Sequence, residues 1–255
     1  MNDLGLKRRL RAAGIHFAIS VAIAALASLL VFGVWYPAPY AAIAGGLSLF
    51  VLLVSVDVAL GPLLTAVAAS PGKPRAELVR DLSFIALVQL AAFGYGMVTI
   101  AMARPVHLVF EIDRFKVVTA ADIDPELLSK APPHLQRLPW MGPTLIAATK
   151  PTDPDELMRS MELGLAGFDL AVQPSRWVEY AGLTDAAWRA ARPVDALTRR
   201  YPQAAAPLAR IAADAGQPMS ELRFMPLVSR QTSWVSVMAM PGARVVGHLP
   251  LDGFF

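Results

Sequence analysis

Asp57 stands inside an apolar run, residues 40–69, and that placement limits what the chain can become. A run of this length suits a helix that crosses a bilayer, for which about 20 apolar residues suffice. A carboxylate near the centre of such a helix costs roughly 2.5–3.5 kcal/mol on insertion scales. A chain that carries this cost needs a polar partner for Asp57 within the membrane. The acid is followed at once by Val58-Ala59-Leu60-Gly61-Pro62-Leu63-Leu64-Thr65, which adds a glycine, a helix-interrupting proline and a hydroxyl to the same segment.

Two further runs flank this one. Spans are expected near residues 15–34, 42–67 and 84–103, making residues 1–103 a three-span transmembrane region. The first run follows a basic segment, as a signal peptide would. Its apolar stretch is longer than a usual signal core, however, and Trp35-Tyr36-Pro37-Ala38-Pro39-Tyr40 offers no convincing cleavage site, so an uncleaved span is expected. Lys7, Arg8, Arg9 and Arg11 precede span one, and Lys73, Arg75 and Arg80 lie between spans two and three. The positive-inside rule then puts the N-terminus in the cytoplasm. Residues 104–255 follow an odd number of spans and are expected outside, in the periplasm of a bacterium with two membranes.

The net charge of +3 is spread over these membrane-flanking positions, not over a stripe of basic and aromatic residues, which argues against nucleic acid. The absence of cysteine excludes disulfides, thiolate metal sites and thiol nucleophiles. His16, His107, His134 and His248 lack metal-ligand spacing, and no phosphate-binding or nucleophile-elbow motif occurs. A membrane aspartyl protease needs two carboxylates, and one span alone carries an interior Asp. The chain is therefore read as no enzyme, with no cofactor, no metal and no catalytic residues.

Residues 104–255 have ordinary soluble composition and read as an α+β domain. Residues 106–118 read as one strand, 143–149 as another, and 233–240 with 243–249 as two strands around Pro241-Gly242. Asp124-Pro125-Glu126 and Asp153-Pro154-Asp155-Glu156 read as helix starts, the second as a capping box. Helices are expected over 184–191 and, broken by prolines, over 194–215. The last two strands could offer an edge for strand addition, although a position inside the sheet is expected.

Within the membrane, a hydrogen bond between Asp57 and Gln89 of span three is expected, because the two fall within about one helical turn in depth. Pro62 frees a backbone carbonyl one turn earlier, and Gly61 lets a neighbouring helix approach. Gly45-Gly46 and Gly94-Tyr95-Gly96 are small-residue faces for internal helix packing. His16 is placed at the membrane interface. Asp57, Gly61, Pro62, Thr65 and Gln89 are the candidate intramembrane contact for a partner.

Trp35-Tyr36-Pro37-Ala38-Pro39-Tyr40, the run from Asp57 to Thr65, and Arg80-Asp81-Leu82 through Gln89 to Tyr95-Gly96 resemble the type IV pilin accessory family, TfpX/TfpZ. Ala103-Arg104-Pro105-Val106 and Asp113-Arg114-Phe115 extend the resemblance beyond the spans. The resemblance implies an inner-membrane protein that assists the stability, export or assembly of a cognate type IV major pilin. It also implies the chemistry of that partner, a single membrane helix with an acidic residue near its cytoplasmic start. A polar face of Gln89, Thr65 and Asp57 would shield that acid, with a shared proton if Asp57 faces it. A membrane-anchored periplasmic sensor or scaffold is the alternative, and oligomeric state is left open.

Overall fold

The structure is a computed structural model that describes residues 3–70, 72–165, 167–230 and 233–255. It divides into two compact units, one of residues 1–41 and 45–103, the other of residues 42–44 and 104–255.

The first unit is built on three long helices. Helix α1 (Asp3–Leu30) runs on through a π-helical turn at Val31–Trp35. A single turn, α2 (Tyr40–Ile43), precedes α3 (Gly46–Ala68) and α4 (Arg75–Met102). Gly5–Trp35, Gly46–Ala68 and Arg75–Met102 are long and apolar enough to cross a membrane. Helices α1 and α4 extend well before residues 15 and 84. Lys, Arg, Ala and Leu are strong helix formers, so the helix continues where hydropathy has already fallen. The second run breaks at Gly45, whose positive φ of 73° places it in the left-handed region and starts α3 at Gly46.

Helix α3 is central, and α1 and α4 pack along it far more than against each other. Small residues set the approach. A Cβ on Gly96 of α4 would fall 2.5 Å from Leu53 of α3, and one on Gly46 would fall 2.4 Å from the Tyr36 ring. Tyr36 is fully buried and donates its hydroxyl to the Ile100 carbonyl at 2.9 Å. Gly94, by contrast, faces open space.

The second unit is a mixed sheet with helices. Its strands are β1 (Pro105–Glu111), β2 (Arg114–Thr119), β3 (Thr144–Ala148), β4 (Trp177–Glu179), β5 (Arg192–Pro193), β6 (Arg223–Val228), β7 (Ser233–Ala239) and β8 (Arg244–Leu249). Their order is β4-β3-β1-β2-β6-β7-β8, with β5 paired to β6. Residues 106–118 thus form a hairpin, not one strand. Ile112 turns it at φ 54°, and Glu111 pairs with Arg114. Alternation cannot reveal this turn, because β1 is buried along its whole length. Strand β8 lies at the sheet edge, while β7 lies inside.

The remaining helices are α5 (Pro125–Leu128), α6 (Pro154–Leu165), α7 (Thr184–Ala190), α8 (Val194–Arg200) and α9 (Ala205–Ala215). Asp124 caps α5 by accepting from the Glu126 amide at 2.9 Å. Asp153 caps α6 by accepting from the Asp155 and Glu156 amides. The other half of that capping box is not made, since the Glu156 carboxylate takes Arg176 at 3.0 Å instead. One core gathers Val109, Val118, Ile146 and Trp177; a second gathers Leu197, Leu208, Phe224 and Val237 beneath α8 and α9.

Candidate functional site: a polar cleft in the membrane anchor

Asp57, Gly61 and Thr65 are spaced at i, i+4 and i+8, so they form one stripe along α3. Gln89 of α4 reaches this stripe. Its amide nitrogen lies 3.2 Å from Asp57 Oδ1 and 3.3 Å from the Asp57 carbonyl, and it donates to both. From the opposite side, His16 of α1 meets Thr65, with Nδ1 2.5 Å from Oγ1. Gly61 is the floor between them. A Cβ there would fall 2.2 Å from Gln89 Nε2 and 2.9 Å from His16 Nε2. Glycine at this position lets two polar side chains from different helices reach the face of a third. Pro62 lies beside it and has no N–H to give the Val58 carbonyl one turn back.

A cavity of about 180 Å³ opens beside His16, Asp57 and Gln89. Ile19, Ser20 and Ile23 of α1 form one wall, Leu90 and Phe93 of α4 the other, and Asp57, His16 and Gln89 its polar part. Because α1 and α4 share α3 and little else, the cavity is a groove between them, apolar along its walls and polar at one level. Gln89 Oε1 is buried and has no hydrogen-bond partner among the described residues. A buried amide oxygen left in this state loses a hydrogen bond that a donor entering the groove would restore.

The structure therefore brings Asp57, Gly61, Thr65 and Gln89 to one place, with Pro62 next to them on α3. His16, expected near the cytoplasmic end of the first span, also belongs to this cluster, and Ser20, one turn further along α1, is buried there too. The signal that could have found them was the matching stripe on α1, His16 and Ser20 at i and i+4.

In the second unit the histidines serve the fold. His107 on β1 is buried against Trp177, rings 4.8 Å apart, with Nδ1 2.8 Å from Thr144 Oγ1. Burial pushes its imidazole down to about 4. His248 on β8 pairs with Ser236 at 3.1 Å and is likewise pushed down to about 4 by burial. His134 pairs with Glu179 at 2.7 Å. Glu111 ends β1 buried, its carboxylate accepting from the Ala171 amide at 2.9 Å. Burial raises its pKa against that hydrogen bond. Among the described residues no group of three or more His, Cys, Asp or Glu side chains is placed to hold a metal ion.

Comparison with known proteins bears on the whole chain. A family model described as "Fimbrial assembly protein FimB" matches residues 5–45. The chain is 36% identical over 242 residues to the fimbrial assembly protein of serogroup I of Dichelobacter nodosus, covering 94% of each. It is 35% identical over 248 residues to the serogroup E1 protein of that organism, again covering 94% of each. To the fimbrial assembly protein of serogroups C1 and C2 it is 47% identical over 110 residues, covering 43% of this chain and 84% of that one. No solved structure matches the chain. Identity at this level across nearly the full length places the chain in the fimbrial assembly protein family, a family of type IV pilus accessory proteins.

Proposed function

We propose that this protein is a bacterial inner-membrane chaperone for a cognate type IV major pilin, and that it acts without catalysis. The observation that carries the proposal is the groove between α1 and α4. Two helices, α1 and α4, flank the central α3 and leave a slot between them, and the slot has one polar level. A pilin held in the membrane as a single helix would fill it. The relatives are named fimbrial assembly proteins, which fits a role before or during pilus assembly.

The polar level suits a partner that carries an acid in the bilayer. A protonated carboxyl would donate to the orphaned Gln89 Oε1, and His16 supplies a second polar group nearby. Thr65 is already engaged by His16, so it orients the imidazole and is not itself the shield. Two ionised carboxylates would repel each other at this level, so the partner's acid enters protonated and gives its proton to the Gln89 bond. The basic segments around Arg8 and Arg75 set the N-terminus in the cytoplasm and residues 104–255 in the periplasm, where the folded domain can meet the pilin head. Contact with lipid and pilin is expected, and none with nucleic acid.

The test is purification of the full chain from native membranes in mild detergent, followed by mass spectrometry of co-purifying chains. Recovery of the major pilin near stoichiometry is expected, with Gln89→Leu reducing it. Recovery of the protein with no pilin, under conditions where pilin is abundant, overturns the proposal and favours a periplasmic sensor or scaffold.

A further inference from the structure

A second groove lies between α3 and α4 at the basic end of the anchor, with a volume of about 530 Å³. Leu64 and Val67 of α3 face Phe84 and Ile85 of α4 along it, and Lys73 and Arg80 stand at its mouth. We propose that this groove is a binding site for an anionic phospholipid, with one acyl chain along the apolar walls and the phosphate against Arg80 and Lys73. The inference rests on the membrane anchor alone and is independent of the pilin reading.

Two observations select this occupant. The first is the order of chemistry along the groove. Phe84 lies four residues beyond Arg80 on α4, about 6 Å further along the helix. An occupant must therefore be anionic at one end and apolar within a turn of it, which describes a lipid entering from its own leaflet. Leu64, Val67 and Phe84 are also among the exposed large apolar side chains, so the groove is continuous with the surface that acyl chains already cover.

The second is the charge at this end. Lys73 binds the Asp81 carboxylate, which takes the one acid lining the groove away from an incoming phosphate. Arg80 is only 3.8 Å from Asp81 and its side chain is 76% exposed, leaving most of the guanidinium to an outside partner. Arg9 of α1 adds a third cation at the same end. Its Nη2 donates to Ser70 Oγ at 3.0 Å, and Ser70 in turn donates to the carbonyl of Val67, a groove residue. Arg9 Nε is buried without a partner among the described residues. Basic pockets between helices at this position are suited to anionic headgroups.

The full-length protein in mild detergent is titrated with phosphatidylglycerol and, separately, with phosphatidylcholine, and bound lipid is counted by native mass spectrometry. Phosphatidylglycerol is expected to be retained in preference. Arg80→Gln is expected to weaken its retention by roughly fivefold, the worth of one basic side chain at an anionic surface. Arg8→Gln removes the same charge from the same end but outside the groove, and is expected to leave retention unchanged. Leu64→Trp fills the groove without altering charge and is expected to weaken retention as well. Equal weakening by Arg80→Gln and Arg8→Gln, no preference between the two lipids, or retention untouched by Leu64→Trp overturns the proposal.

Discussion

Gly61→Ala tests whether the polar cleft is arranged as described. The added Cβ would stand 2.2 Å from Gln89 Nε2. That atom ends a flexible side chain, so the amide swings away and the helices stay packed. The loss is the pair of hydrogen bonds to Asp57, at 3.2 and 3.3 Å. Hydrogen bonds between membrane helices are worth about 0.6 kcal/mol on average and up to roughly 1.7. Alanine also favours helix over glycine by up to about 1 kcal/mol, which masks the loss in a single measurement. A double-mutant cycle with Gln89→Ala removes the mask. Helix propensity and the crowding of His16 Nε2 are the same with or without Gln89, so both cancel. Unfolding free energies from steric trapping or denaturing-detergent titration should then give a coupling of about 0.6–1.7 kcal/mol, with Gly61→Ala costing more when Gln89 is present. If Gly61→Ala changes stability equally in the two backgrounds, within about 0.3–0.5 kcal/mol, Gln89 does not lie over Gly61 and the cleft is wrongly drawn.

Asp57→Asn keeps a side-chain acceptor for Gln89 and should leave helix packing near that of the parent, whereas Asp57→Leu should lose the side-chain bond and keep only the one to the backbone carbonyl; the same unfolding assay separates them, and equal behaviour counts against the side-chain pairing. His107 and His248 are held down to about 4 from 6.5, so each contributes stability that is present above 6.5 and lost as pH falls toward 4. At about 1.4 kcal/mol per pKa unit this is about 3 kcal/mol each at most, visible as a falling urea midpoint of the α+β unit between pH 7 and 4.5. Glu111 acts oppositely, since a raised carboxyl pKa means stability lost as pH rises through it. Glu111→Gln, which keeps an acceptor for Ala171, should therefore raise stability at pH 7, and a decrease would show that the charge itself is needed. Asp153→Ala should cost about 0.5–2 kcal/mol and speed amide exchange in the first turn of α6, because two backbone N–H groups lose their acceptor.

Much of this architecture was legible in the sequence, and the misses have physical causes. The three long helices follow from apolar run length, and the Asp57–Gln89 bond from depth counting, since a lone acid and a lone amide in lipid must find each other. That His16 joins the cleft was not legible, because its distance from the helix start gives its depth and not its direction about α1. Its rotation about α1, shared with Ser20, is what turns it inward. The helices run beyond the expected spans because hydropathy marks lipid contact and not hydrogen bonding. The β1–β2 hairpin was missed because β1 is buried on both faces and Ile112, a residue disfavoured at positive φ, occupies the turn. The capping box on α6 was half right. Asp153 acts through local backbone geometry, which sequence encodes, whereas Glu156 is claimed by Arg176, twenty residues away.

The central claim is that a pilin helix occupies the groove between α1 and α4. Site-directed photo-crosslinking in living cells tests it most directly, with the crosslinking residue placed in turn at Ile19 and Leu90 on the groove walls and at Leu52 and Val56 on exposed positions of α3. Adducts with the major pilin from Ile19 and Leu90 alone are the predicted result. Pilin adducts from Leu52 and Val56, with none from the groove walls, would contradict it.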